Sequence, residues 1–114
     1  MLNSGDIVAL DLGIPRDREA GLRRPVVVAT AQRILDASPS VIQVIPLTTN
    51  LRAFGSEVLI EPNTGNGLDR PSAAQCQHIR AVSVGRVEQV LGNVGSVALA
   101  QVRETLSLIL DTPA

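Results

Sequence analysis

The sequence predicts a mostly-β domain with one amphipathic helix at its end, laid on a small, strongly curved sheet or barrel. Three observations carry this. Short apolar runs rich in β-branched residues alternate with turn-forming stretches along most of the chain. The apolar content is high, 45%, yet Phe54 is the sole aromatic, so the core must be built from Val, Leu, Ile and Ala. The hydrophobic spacing then changes to a helical period only near the C-terminus.

IVALDL (7–12) reads as the first strand, and a loop through Gly13, Pro15 and Gly21 follows it. PVVVATA (25–31) and VIQVIPL (41–47) are the clearest strands, joined by QRILDASPS, a loop or short helical turn. SEVLIE (56–61) alternates, with Val58 and Ile60 on one face and Glu57, Leu59 and Glu61 on the other. PNTGNG (62–67) is a turn, because Gly and Asn tolerate positive φ. A longer strand is expected over roughly 72–82 and a short one near 87–92. From Ser96 onward, Leu99, Val102, Leu106 and Ile109 line one helical face. Gly95-Ser96 supplies its start and Pro113 lies beyond its end.

The 114 residues make one domain, 1–114, long enough to bury its own core. So apolar a small chain implies cover by a partner or a second copy. Ten basic residues, all of them arginine, face eleven acidic ones, which excludes a bulk basic footprint for nucleic acid. The arginines are unevenly placed, however. Arg16, Arg18, Arg23, Arg24 and Arg33 cluster in the first third, where they form a local positive patch. Cys76 is alone, so no internal disulfide forms, and it reads as a small buried hydrophobe in a reducing compartment. Neither a signal peptide nor a membrane-spanning run is evident, and the expected location is the cytoplasm.

RRPVVV (23–28) points to a site. Proline restrains the residue before it to extended conformations and is tolerated at a strand's first position, so Arg24 is held at a strand edge. If the two valine-rich strands pair antiparallel about Asp36, residue 25 faces 47 and Arg24 faces Thr48. Arg23 then points the other way and contributes field. A guanidinium fork beside a hydroxyl suits a phosphate. Geometry alone leaves a second reading open, a surface arginine beside a strand-ending threonine.

The order GDIVALDLG (5–13), RRPVVV (23–28), VIPLTTN (44–50), EVLI (57–60), GLDRPSA (67–73), HIRAV (78–82) and a helix ending LSLIL resembles the MazF/PemK toxins of bacterial toxin–antitoxin systems. The resemblance runs from about Gly5 to Asp111. It implies an SH3-like barrel of the CcdB/PemK-like plasmid toxin fold with added helices, a homodimer, and a metal-independent endoribonuclease that uses no cofactor. Its substrate would be single-stranded RNA, usually messenger RNA, cut at a short sequence. Family roles carry over to Arg24 and Thr48 as catalytic residues, with Glu19 as the matching loop acid. The implied reaction is attack of a 2′-hydroxyl on its own phosphate, leaving a 2′,3′-cyclic phosphate and a 5′-hydroxyl. Negative charge building on the phosphate oxygens is what a fixed guanidinium would stabilise.

Two departures bear on that mechanism. Members often carry Asp-Gln before the Ile-Arg of the sixth strand, and the Asp is one assignment of the general base. Here Gln77 and His78 stand there. Gln77 accepts no proton, so the base falls to His78, whose imidazole is of a type that serves as a general base, or to Glu19. Each also has a structural reading, His78 as a strand residue and Glu19 as a partner of nearby arginines. The usual first-strand tryptophan is absent, so base selection rests on hydrogen bonds instead of stacking. Gln75, Gln77 and Asn50 are the candidates for it, Thr49 and Arg23 are further substrate-binding candidates, and Arg52, Arg70, Arg80 and Arg86 are the candidates to hold phosphates.

The resemblance also implies a cognate antitoxin, a separate chain whose acidic, disordered tail orders in the same cleft. Two other readings stay open: a CcdB-like gyrase-binding toxin, and an inactive SH3-like interaction module.

Overall fold

Valine runs that read as continuous, without polar alternation, imply strands buried on both faces. The computed structural model, which describes residues 1–14, 17 and 22–113, bears this out. β1 (Asp6–Asp11), β2 (Arg23–Val28) and β3 (Val41–Thr48) form the middle of an antiparallel sheet. In β2, Val27 packs into one core with Ile7, Ile45, Leu47, Val58, Ile60, Ala74 and Val102. Val26 and Val28 face a second core with Val8, Leu10, Ile42, Val44 and Val82. Between β2 and β3 lies one helical turn, α1 (Gln32–Leu35), whose Leu35 caps the second core.

The remaining strands are β4 (Glu57–Ile60), β5 (Ser72–Gln75), β6 (Arg80–Ser83) and β7 (Val87–Asn93). Sheet order is β4-β5-β3-β2-β1-β7, with β6 also pairing β3. The hydrogen-bonded sheet therefore does not close: of the curved sheet or barrel expected from the sequence it is the sheet, and the barrel that the resemblance implies is open along one seam. Its two end strands, β4 and β7, approach through the loop between β4 and β5. There Asn93 donates its N–H to the Gly65 carbonyl at 2.9 Å. The buried Asn66 side chain holds this loop, accepting from the Asn63 and Leu68 amides and donating to the Glu61 carbonyl.

The strand expected over 72–82 is broken. β5 pairs with the C-terminal end of β3, Leu47 with Ala74 and Thr48 with Ala73, while β6 pairs with its N-terminal half, Val44 with Arg80. Between them a 3-10 turn, Cys76–His78, lifts away from β3. The physical reason sits opposite, at Pro46, which has no N–H to offer a second neighbour.

α2 (Gly95–Leu110) covers the first core. Val102 is fully buried and Leu99 and Leu106 pack beside it, as the spacing predicts, whereas Ile109 remains 40% exposed. Asn93 Oδ1 accepts the Gly95 N–H at 2.8 Å, so the acceptor at the helix start is Asn93, not Ser96. Gly95 takes φ +85° in this turn, which favours glycine. No helix among the described residues is long and apolar enough to cross a membrane.

Candidate active site

The β2–β3 ladder pairs Val26 with Pro46, Val27 with Ile45 and Val28 with Val44. This is the register the sequence predicts. Continued two residues past the last rung, it carries Arg24 toward Thr48. Arg24 is half-buried and faces the side of Val26, with Leu10 of β1 as its partner across the sheet. Arg23 faces away and pairs with Glu88 of β7 at 3.1 Å; both side chains are exposed, so the pair adds little.

Thr48 closes β3, half-buried. Its Oγ1 accepts the Asn50 N–H at 3.1 Å, which fixes the hydroxyl oxygen and leaves its O–H to donate. The Thr49 and Asn50 side chains are exposed just beyond. Across the sheet from Thr48 stands Ala73, and Gln75 is the next β5 residue on that face. Such a diagonal neighbour lies roughly 7–8 Å away.

Gln75 opens onto a cluster that reading the strands by alternation misses. Glu57, its direct partner in β4, reads from the sequence as an outward residue beside Leu59. Its side chain is instead only 2% exposed. Its Oε2 accepts from Arg52 Nη2 at 2.6 Å, Gln77 Nε2 at 2.8 Å and Gln75 Nε2 at 3.5 Å. The Arg52 guanidinium also lies 4.6 Å from the centroid of the Phe54 ring. Burial works to raise the Glu57 pKa. The hydrogen bond from Gln77, the hydrogen bond and charge of Arg52, and the Gln75 contact outweigh it and hold the carboxyl below its ordinary value. Arg52, a few residues before Glu57, was the one local signal in the sequence; the convergence of Gln75 and Gln77 on the acid is tertiary.

Gln77 is thus a donor to Glu57, positioned by the 3-10 turn and not by a strand, so alternation does not decide where residues 77 and 78 point. His78 ends that turn, half-buried. Arg80 and Arg86 donate to the Leu12 and Asp11 carbonyls at 3.1 and 3.2 Å. They brace the end of β1, where Leu12 and Leu22 close the neck of the following loop. Glu19, in that loop, lies outside the described residues. Burial pushes the Cys76 thiol up to about 11; a backbone hydrogen bond opposes this and the Glu57 charge adds to it. Cys76 is therefore a protonated core residue at neutral pH.

Known proteins share this fold. Residues 3–110 match the PemK-like, MazF-like toxins of type II toxin–antitoxin systems. The chain is 35% identical to the endoribonuclease MazF9 of Mycobacterium tuberculosis, over 97% of this chain and 98% of that one. In fold it is similar to MazF from Deinococcus radiodurans, with a TM-score of 0.81 at 23% identity, covering 97% of each chain. It is also similar to a mycobacterial endoribonuclease solved in complex with its cognate antitoxin, with a TM-score of 0.78 at 17% identity over 100% of this chain and 99% of that one. With a family match over residues 3–110 and a 35% identical relative covered over nearly its whole length, the chain belongs to the PemK-like, MazF-like toxin family of type II toxin–antitoxin systems.

Proposed function

We propose that this chain is an endoribonuclease that cuts single-stranded RNA, messenger RNA above all, in the cytoplasm and so arrests translation and growth. The observation that carries the reading is the β2–β3 register, which directs Arg24 and Thr48 to the same end of the sheet. The 2′-hydroxyl attacks the adjacent phosphorus, the P–O5′ bond breaks, and the products carry a 2′,3′-cyclic phosphate and a 5′-hydroxyl. No metal takes part. Arg24 stabilises charge on the non-bridging oxygens, and Thr48, its oxygen held by Asn50, donates to the phosphate.

A proton must also leave the 2′-hydroxyl. Gln77 has no basic site, and Glu57 is a poor base because its carboxylate is held in its charged form. His78 and Glu19 are the candidates; a slowed single-turnover rate with a changed pH profile in His78→Ala assigns the role to His78, and an unchanged rate and profile remove it.

A second copy and an antitoxin complete the proposed unit. Exposed Leu108 and Leu110, 75% and 60%, support cover by another chain, and a related mycobacterial endoribonuclease is solved with its antitoxin. The partner would be a separate chain with an acidic tail that competes with RNA for Arg24. A gyrase-binding role is disfavoured by the family match.

The test is cleavage of long single-stranded RNA in EDTA. The expected outcome is cuts at a short sequence with cyclic phosphate ends, slowed about 10²–10³-fold in Arg24→Ala. Absence of cleavage, or cleavage that the variant retains in full, sinks the reading.

A further inference from the structure

The Glu57 cluster is electrically lopsided. Its donors, from Arg52, Gln75 and Gln77, all converge on one oxygen, Glu57 Oε2. Three buried acceptors, Glu57 Oε1 and the side-chain carbonyl oxygens of Gln75 and Gln77, have no partner among the described residues. Turning either amide over would set its oxygen against the carboxylate, so the amide orientations follow from Glu57 itself. Unpartnered buried acceptors are costly and rare in native proteins, and three at one place call for a ligand.

A cavity of about 200 Å³ adjoins the cluster, lined by Leu51, Ala53, Glu57, Leu59 and Ala73. It is smaller than the pockets that take drug-sized ligands and on the scale of one planar ring system. Leu51 and Leu59, half exposed, supply apolar walls, and Glu57 supplies the polar wall. Ala73 ties the cavity to the reaction site, because it is the direct β-sheet partner of Thr48. A group entering here sits beside a phosphate held at Thr48.

We propose that this cavity selects the base of a nucleotide flanking the scissile phosphate, and that it takes a base whose Watson–Crick edge presents N–H donors, guanine first and uracil last. The inference rests on the RNA-cleaving reading and extends it to base choice. Guanine offers N1–H and one hydrogen of its 2-amino group side by side, a match for the two oxygens of the Glu57 carboxylate, which lines the cavity. Adenine and cytosine offer one amine beside an acceptor nitrogen. Uracil offers a single N3–H flanked on both sides by carbonyl oxygens, which would face the carboxylate. Arg52 guards the entrance chemically: an RNA phosphate competes with Glu57 for its guanidinium and frees the carboxylate to meet the base. An arginine from a protein partner would also satisfy these oxygens, but adjacency to Thr48 favours the RNA.

The test uses binding, so that it does not depend on cleavage. Short 2′-O-methyl RNAs, which cannot be cut, are randomised and selected on the full chain. Guanine enrichment and uracil depletion are expected at one position. Replacing that guanine by inosine, which lacks the 2-amino group, should weaken binding by about tenfold. The inosine penalty should vanish in Glu57→Gln, whose fold is checked by its melting curve. No base preference, equal binding of inosine and guanine, or an unchanged profile in folded Glu57→Gln overturns the proposal. The last result would assign the oxygens to buried water or to a protein partner. Should Glu57→Gln fail to fold, the guanine–inosine comparison on the unaltered chain decides alone. Base-selective binding without any cleavage would leave this pocket standing and remove the enzymatic reading instead.

Discussion

Glu57 is a carboxylate with almost no water around it, kept charged by the groups packed on it. Its folded-state pKa is depressed, so the stabilisation is fully present above the unfolded carboxylate range and is lost as pH falls through the folded value. Arg52→Ala tests this. The change strands a buried charge; breaking such a pair costs about 3–5 kcal/mol when both partners are buried. Arg52 is 36% exposed, so water replaces part of what it gives, and about 1–3 kcal/mol is expected. Urea unfolding at neutral pH should show that loss, and the gap from the unaltered chain should shrink as the pH falls below the ordinary carboxylate range and Glu57 protonates. A gap that stays constant with pH would mean that Arg52 stabilises by packing on Phe54 instead. The register that carries Arg24 toward Thr48 was legible in the sequence because strand register is short-range arithmetic, and the pairs Val26–Pro46, Val27–Ile45 and Val28–Val44 keep it. Glu57 was not, because alternation assigns a face but says nothing of what a neighbouring loop and a 3-10 turn will set upon it.

At the scale of elements, the strands with clear β-branched runs were legible, with their ends displaced by at most three residues. The break within 72–82 was not, since its cause lies on another strand, at Pro46. The start of α2 was nearly legible: Gly95 and Ser96 mark it, but the side-chain acceptor is Asn93. Asn93 also donates through Nδ2 to the Ser4 carbonyl at 3.2 Å and to Asp6 Oδ1 at 3.0 Å. One side chain thus ties the helix start to β1, and Asp6 is 5% exposed. Asn93→Ala should therefore cost more than an isolated cap, about 2 kcal/mol. Equilibrium denaturation measures it, and Ser96→Ala serves as the comparison, with an effect within about 0.5 kcal/mol. Equal losses from both changes would return the cap to Ser96.

For the molecule as a whole, the question is how an open sheet keeps two cores covered. The barrel expected from the family is completed not by a strand ladder but by a seam between the Glu61–Leu68 loop and β7. Backbone meets backbone there, which two glycines make possible. A Cβ on Gly92 would come within 2.5 Å of the Gly65 carbonyl oxygen and the Asn66 carbonyl carbon, and one on Gly67 would strike the Leu91 backbone. Neither neighbour is a flexible side-chain end that could swing aside, so the strand and the loop must part. Gly92→Ala should accordingly lose about 3 kcal/mol, the upper range for overpacking. It should do so by opening one place first. The Asn93 amide, bonded to the Gly65 carbonyl, reports on the seam, while amides of the central strand β2 report on global unfolding. Hydrogen exchange should therefore accelerate more at Asn93 than at Val27. Gly85→Ala is the control, since its added Cβ meets nothing nearer than Ser83 Oγ at 3.6 Å, and both rates should stay put. Uniform acceleration across β2 and β7 in Gly92→Ala would show that the seam is no separate closure and that the sheet opens as one unit.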